Sequence, residues 1–349
     1  MKLLISALEH SANIHLSYLV KELGSDVELS GIFDSSLGES IVDLRSTSVM
    51  GFVDAIKKLP FFFRLKDQMV ELSASADKVL LIDSSGFNLP LAKAIRKHYP
   101  DKEIIYYILP QAWAWKKKRI PVLEKTITKL CSILPFEPSY YSPNAPIEYV
   151  GHPLLDEITI RKTDLTPSGK ITFMPGSRPG EIKRLMPIYH ELRGMLDCRA
   201  LLVIPPHFTN QQVQELYGDL SRFEITHEAH QSLSESDFAF ICSGTATLEA
   251  CLIGTPFILA YIAKSLDYAI ASRLVKLDYV GLGNILFSHK YKRKLHPEFI
   301  QNSVNAQNLY NAYQQMDKTA FFNDASALRE LLGHGSAVRM SHIIKDNNA

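Results

Sequence analysis

An excess of one charge sign is what this chain of 349 residues lacks first: 38 Lys and Arg stand against 37 Asp and Glu, a formal net charge of +1. A dedicated nucleic-acid binder needs a basic excess on its surface, so that class is disfavoured and no nucleic-acid partner is expected. Cysteine is also scarce. Cys131, Cys198, Cys242 and Cys251 are scattered, sit among apolar neighbours and show no metal-ligand spacing, which predicts reduced core thiols. No uninterrupted apolar run is long enough to cross a bilayer. The opening Met-Lys-Leu-Leu-Ile-Ser-Ala is too short for a signal peptide and is broken by Glu9 and His10, so it reads as a first strand. No G-x-G-x-x-G follows that strand and no H-E-x-x-H occurs anywhere. A nicotinamide cofactor is therefore not indicated, and neither a metal nor another cofactor is expected. Short-period repeats and low-complexity segments are missing as well.

What is present is a regular alternation of short apolar runs and helical patterns, the signature of βα units and a parallel sheet. Candidate strands in the first half are 3–7, 27–33, 79–82, 104–109 and 129–134, with helices at 13–23, 49–59, 89–98 and 113–125. The pattern changes after Val150-Gly151-His152-Pro153, and 163–169 is polar and turn-rich. A second series then runs through strands 171–174, 200–204, 223–226, 238–241 and 257–261, with a helix at 180–196 and a helical end from 297 to about 332. The length exceeds what one hydrophobic core usually supports. The fold class expected is α/β, with two Rossmann-like doubly wound domains facing across a cleft, 1–160 and 161–349.

The organising stretch is Phe238-Ala239-Phe240-Ile241-Cys242-Ser243-Gly244-Thr245, an apolar strand ending in a tight turn, after which Leu248, Cys251 and Leu252 recur at helical spacing. Such a turn presents free backbone N–H groups at a helix N-terminus and suits a phosphate. Glu249, one turn further on, is placed to accept hydrogen bonds from ribose hydroxyls. An ordinary capped helix accounts for this stretch equally well. Pro175-Gly176-Ser177-Arg178-Pro179 is a second strand-turn-helix: Gly176 admits close backbone approach, Ser177 donates, and Arg178 can grip phosphate with two prongs. In the first half, Asp83 stands at a strand end and suits a general base, although a lone aspartate there is more often an N-cap. The Trp113-Ala114-Trp115-Lys116-Lys117-Lys118-Arg119 run fits a sugar face beside a phosphate, an anionic membrane surface, or simply a buried tryptophan pair. Val49, Phe52, Val53, Ile56 and Leu59, followed by Pro60-Phe61-Phe62-Phe63-Arg64, make a basic, Phe-rich amphipathic segment. It suits a membrane interface or an acyl groove, with core packing as the commoner explanation.

Several blocks in order resemble lipid-A-disaccharide synthase, a glycosyltransferase family of GT-B architecture. They are Val49-Met50-Gly51-Phe52-Val53, Trp113-Ala114-Trp115 with Arg119, Leu134-Pro135-Phe136-Glu137, Val150-Gly151-His152-Pro153, Pro175-Gly176-Ser177-Arg178 with Glu181-Ile182, Ser243-Gly244-Thr245-Ala246-Thr247-Leu248-Glu249, and Tyr279-Val280-Gly281-Leu282 with Asn284-Ile285-Leu286. The resemblance implies inverting transfer of 2,3-diacylglucosamine from UDP-2,3-diacylglucosamine to 2,3-diacylglucosamine 1-phosphate (lipid X). It implies Asp83 as the base, and Gly176, Ser177, Arg178, Ser243, Gly244, Thr245, Glu249 and Asn284 on the UDP-sugar. It also implies an N-terminal acceptor and membrane-side domain, a C-terminal UDP-sugar domain whose last helices can return to the first, and peripheral attachment to the cytoplasmic face of the inner membrane. A homodimer is compatible with it.

The chain departs from the family's pattern in three places. Leu8-Glu9-His10-Ser11-Ala12-Asn13 replaces a glycine and an aspartate of the usual Gly-Glu-x-Ser-Gly-Asp. Asp83-Ser84-Ser85-Gly86-Phe87-Asn88 has lost the second carboxylate of Asp-Ala-Pro-Asp-Phe-Asn, and Gly283 stands where proline is common. Two alternatives accompany the leading expectation: another UDP-N-acetylglucosamine enzyme, transferase or epimerase, and a non-catalytic binder of anionic lipid or nucleotide.

Overall fold

The computed structural model describes residues 1–42, 59–264 and 278–346. The chain divides into two compact units, Met1–Glu157 with Leu332–Ala349, and Ile158–Leu331.

In the first unit the elements run β1 Lys2–Ser6, α1 His10–Leu23, β2 Glu28–Ile32, α2 Leu59–Leu72, β3 Lys78–Ile82, α3 Ser85–His98, β4 Glu103–Tyr107, α4 Ala112–Trp115, α5 Ile120–Thr126, β5 Lys129–Ser132, β6 Ile147–Tyr149 and α6 Leu154–Glu157. All six strands pair in parallel in the order β2-β1-β3-β4-β5-β6. The central β3 is buried at every position, as a strand covered by helices on both faces must be. Leu4, Val79, Leu81 and Tyr106 pack with the helices of one face, while Leu3, Ile5, Leu80 and Ile82 pack with those of the other.

The second unit follows as β7 Lys170–Met174, α7 Pro179–Met195, β8 Arg199–Val203, α8 Asn210–Tyr217, β9 Glu224–Thr226, α9 Ala229–Glu235, β10 Phe238–Cys242, α10 Thr245–Ile253, β11 Phe257–Tyr261, α11 Leu282–Tyr291, β12 Glu298–Ile300, α12 Ala306–Gln315 and α13 Lys318–Leu332. Its parallel sheet has the order β12-β11-β10-β7-β8-β9. Phe173, Phe238 and Phe240 sit at the centre of its core, with Phe173 and Phe240 stacked at 5.4 Å.

The final helix, α14 Ser336–Lys345, belongs to the first unit and packs against α1. Met340 and Ile344 enter the same core as Leu16 and Leu19. Asp156 accepts from the backbone N–H groups of Gly335 (2.7 Å) and Ala337 (3.0 Å), fixing the start of this helix.

Two expectations need correction. The stretch expected to be helical from 297 contains β12, because Glu298–Ile300 pairs with Leu259–Tyr261 at the sheet edge. The helix expected at 113–125 is broken into α4 and α5, since Pro121 lacks the N–H that a continuous helix would use and instead opens the second one. The helix expected at 49–59 lies outside the described residues, apart from Leu59, which opens α2.

Glu137 is a buried carboxyl, 1% exposed, accepting from Ser132 Oγ at 2.5 Å. Burial raises its pKa from 4.5 to about 8. Below pH 4.5 it is protonated whether the chain is folded or unfolded. Between 4.5 and about 8 only the unfolded chain ionises, so stability falls as pH rises through this window. Glu137→Gln should flatten that slope, gaining on the order of 5 kcal/mol above pH 8 relative to its effect at pH 4.5; denaturant melts of both proteins across the window measure it.

Candidate active site

Each sheet reverses its strand order once. In the first unit the chain winds from β1 to β2 in one direction and from β3 through β6 in the other; in the second, from β7 to β9 and then from β10 to β12. In such sheets ligands bind beyond the carboxyl ends of the two strands at the reversal. Those ends carry Glu9 and Asp83 in the first unit, and the Gly176-Ser177-Arg178 and Ser243-Gly244-Thr245 turns in the second.

Asp83 follows directly on β3, with φ +50°, and Ser84 follows with φ +42°. Two successive non-glycine residues in the left-handed region are strained and persist only where surrounding bonds hold them. Here the Asp83 N–H donates to Tyr107 O (3.1 Å), and the Asp83 carbonyl accepts from Tyr106 Oη (2.7 Å) and Asn88 Nδ2 (2.9 Å). Asn88 is in turn fixed by Ser6 Oγ at 2.6 Å. The half-buried Asp83 carboxyl has its pKa raised, first by burial and next by the nearby charge of Glu9, against smaller lowering effects from the Ser84 N–H and His15. Glu9 accepts from Ser84 Oγ at 3.2 Å. Arg119 Nη1 reaches Ser85 Oγ at 3.2 Å, so the end of the basic run lies at the start of α3.

In the second unit, β7 and β10 are hydrogen-bonded neighbours, which brings the two glycine-containing turns side by side. Gly176 has φ +105°, and a Cβ there would lie 2.7 Å from Glu181 Oε2 and 3.2 Å from Cys242 Sγ. Only glycine lets this turn close onto α7. Arg178 is 80% exposed and, among the described residues, its guanidinium is paired with Glu181 Oε1 at 3.1 Å, which leaves other N–H groups of the fork for an anion. Ser243 is half-buried, and Gly244 and Thr245 are exposed at the start of α10. Glu249 is partly buried and pairs with His230 at 3.3 Å.

Residues 3–326 match the family model described as lipid-A-disaccharide synthetase. Lipid-A-disaccharide synthase of Helicobacter pylori (strain J99) is 47% identical over 97% of this chain and 96% of its own length, and that of Campylobacter jejuni (strain RM1221) is 44% identical over 98% and 99%. This chain belongs to the lipid-A-disaccharide synthase family. It is a glycosyltransferase of lipid A biosynthesis. Among solved structures, MurG of Acinetobacter baumannii matches at TM-score 0.61 and 13% identity, over 99% of both chains. The UDP-GlcNAc 2-epimerase of Neisseria meningitidis bound to UDP-GlcNAc also matches at 0.61, with 12% identity over 99% of this chain and 100% of that one. At such identities the likeness shows the GT-B fold of two Rossmann-like domains, and the epimerase alternative is not favoured.

The places where this member of the synthase family departs from the usual motifs have local physical reasons. Asn13 donates through Nδ2 to the carbonyls of Ala7 and Glu9, both at 2.8 Å, and accepts from Asp34 N–H at 2.7 Å. An aspartate could not make the two donations, so the amide itself holds the turn after β1. A Cβ at Gly283 would meet Cys251 Sγ at 2.6 Å, so the glycine accommodates the buried thiol beneath it.

Asn284, expected on the UDP-sugar, is fully buried with all its hydrogen-bonding capacity spent inside the unit. Its amide donates to His296 O (2.9 Å) and Glu298 Oε1 (2.7 Å), and its oxygen accepts from Leu295 N–H (2.6 Å) and His296 N–H (3.0 Å). It clamps the segment before β12 to α11. Of the readings open for the tryptophan run, Trp113 takes the buried one, its ring 4.9 Å from that of Phe136. The Phe-rich segment divides: Phe61 and Phe62 pack against the core, whereas Phe63 is 57% exposed with Lys66 over its ring at 5.3 Å. Serine substitutions at Phe61 and Phe62 would therefore disturb packing, and Phe63 is the surface aromatic.

Proposed function

We propose that this enzyme transfers 2,3-diacylglucosamine from UDP-2,3-diacylglucosamine to lipid X with inversion, and that Asp83 is its general base. The observation that supports the reading is what stands at each switch point: the Asp83 carboxyl in the first unit, and in the second two adjacent glycine-containing turns beside an exposed Arg178. In the reaction, Asp83 takes the proton of the acceptor's 6-hydroxyl as that oxygen forms the bond to the donor's anomeric carbon. The anomeric bond to phosphate breaks, and its electron pair leaves with UDP. Arg178, Ser177 and the N–H groups of the Ser243-Gly244-Thr245 turn meet the charge that develops on the diphosphate, while Glu249 holds the ribose. Inversion follows from a single in-line displacement.

An acylated donor and acceptor call for attachment to the cytoplasmic face of the inner membrane. No helix among the described residues is long and apolar enough to cross it. Phe63, with Arg64 and Lys66 beside it in α2, is suited to lie in an anionic lipid interface instead. Mass spectrometry of the products tests the reading: UDP and a tetraacyl disaccharide 1-phosphate are expected only when both substrates are present. UDP appearing equally well without lipid X would sink the acceptor assignment.

A further inference from the structure

The basic run after α4 does not act as one unit. Trp113, buried against Phe136, anchors its start, and the backbone then closes from Lys116 N–H to Ala112 O (3.2 Å) and from Arg119 N–H to Lys116 O (2.8 Å). Lys117 and Lys118 are left exposed, the first with its ammonium over the Tyr140 ring at 5.7 Å. Arg119 turns inward instead. It is half-buried, and its Nη1 donates to Ser85 Oγ at 3.2 Å. No carboxylate among the described residues pairs with it. A partly desolvated guanidinium without a counter-charge is costly. The start of α3, where it lies, supplies none, because that end of a helix favours anions. Packing therefore gives no reason for an arginine here.

The loop after β3 is polarised around it. Ser84 and Ser85 are consecutive, yet Ser84 Oγ donates to Glu9 at 3.2 Å whereas Ser85 Oγ accepts from Arg119. Because Ser85 Oγ accepts from the arginine, its own O–H is left to donate, and no described residue receives it. With the remaining N–H groups of the guanidinium it makes a set composed only of donors, which is what a phosphate takes. A Cβ at Gly86 would meet no atom within 4 Å, so the surface next to Ser85 is open. Ser85 is two residues beyond Asp83, and the two Cα atoms are at most about 7 Å apart. A hydroxyl at Asp83 and a phosphate at Ser85 and Arg119 thus fit the two ends of one sugar.

We propose that Arg119 and the Ser85 hydroxyl bind the phosphate of the acceptor sugar while its 6-hydroxyl faces Asp83, and that this contact makes the enzyme select a phosphorylated acceptor over the neutral one. The inference rests on the reaction proposed above and adds to it the residues that recognise the anionic end of the acceptor. The carboxylate of Glu9, on the other side of the loop, repels the same phosphate, so the sugar enters in one direction only. Arg119 and Ser85 take no part in bond making.

In the intact enzyme, with saturating UDP-2,3-diacylglucosamine, kcat/KM would be measured for lipid X and for 2,3-diacylglucosamine lacking the phosphate, in wild type, Arg119→Gln, Arg119→Lys and Ser85→Ala. Wild type should favour lipid X. Arg119→Gln should lose about 10 to 10²-fold of kcat/KM for lipid X, mostly through KM, as expected on removing charged hydrogen bonds. Its rate with the unphosphorylated sugar and its affinity for UDP should hardly change. Arg119→Lys should recover part of the loss, because an ammonium keeps the attraction but not the two-pronged grip. Ser85→Ala should show a smaller loss, again confined to lipid X. The proposal is overturned if wild type uses both acceptors equally well, if Arg119→Gln and Ser85→Ala lose nothing with lipid X, or if their losses are the same with both acceptors. Equal losses together with weaker binding of Arg119→Gln to phosphatidylglycerol vesicles would assign the arginine to membrane phosphates instead. Full turnover by Asp83→Asn would remove the base and leave the acceptor preference standing, whereas a wild type that turned over neither acceptor would remove the proposed reaction and this inference with it.

Discussion

Asp83→Asn is expected to keep the fold and UDP binding while losing between about 10² and 10⁴-fold of turnover, the range that a general base contributes. Asparagine is the informative replacement. It is nearly isosteric, and it tolerates the left-handed conformation that Asp83 adopts at φ +50° better than alanine does. The backbone bonds from Tyr106, Tyr107 and Asn88 are made to or from main-chain atoms of residue 83, and they survive the substitution. What goes is the carboxylate alone. Steady-state kinetics with both substrates, beside calorimetric titration with UDP, separate the two effects. The wild-type enzyme should also lose activity as pH falls below a limb that lies above the ordinary aspartate range, because burial and Glu9 make the carboxyl easier to protonate.

The second large effect is expected at Arg178. Arg178→Ala should lower kcat about 10² to 10³-fold, by withdrawing a charged donor from the leaving diphosphate, and should weaken UDP binding about tenfold or more. An 80% exposed side chain with one ion pair contributes little to folding, so melting behaviour should hardly change. Arg178→Lys should recover only part of the loss, since an ammonium cannot reproduce a two-pronged grip on phosphate. If Arg178→Ala left both kcat and UDP affinity within about twofold of wild type, the diphosphate would have to be held by the turn N–H groups alone.

Much of this was legible in the sequence, and the rest failed for identifiable reasons. Parallel strands covered on both faces read as short apolar runs, so strands such as β3 and β10 were plain. The turns at their ends announced themselves through Gly176, Gly244 and Asp83. Strand order is different: the reversals between β1 and β3 and between β7 and β10 depend on how helices cross the sheet, which no run of residues spells out. The pattern Leu282-Gly283-Asn284 cannot distinguish an amide facing a ligand from one enclosed by His296 and Glu298, which is where the structure puts it. Phe61 and Phe63 look alike in sequence, yet one turns inward and the other outward. Arg119 and Ser85 are 34 residues apart, and only folding makes them a pair.

The most direct measurement is the anomeric configuration of the disaccharide formed from UDP-2,3-diacylglucosamine and lipid X, read by proton NMR from the coupling of the new anomeric hydrogen. Inverting attack assisted by Asp83 requires a β-1,6-linked tetraacyl disaccharide 1-phosphate, with the large coupling of a diaxial arrangement. An α-linked product, formed with retention, would contradict the single displacement on which the roles of Asp83, Arg178 and the two turns all rest.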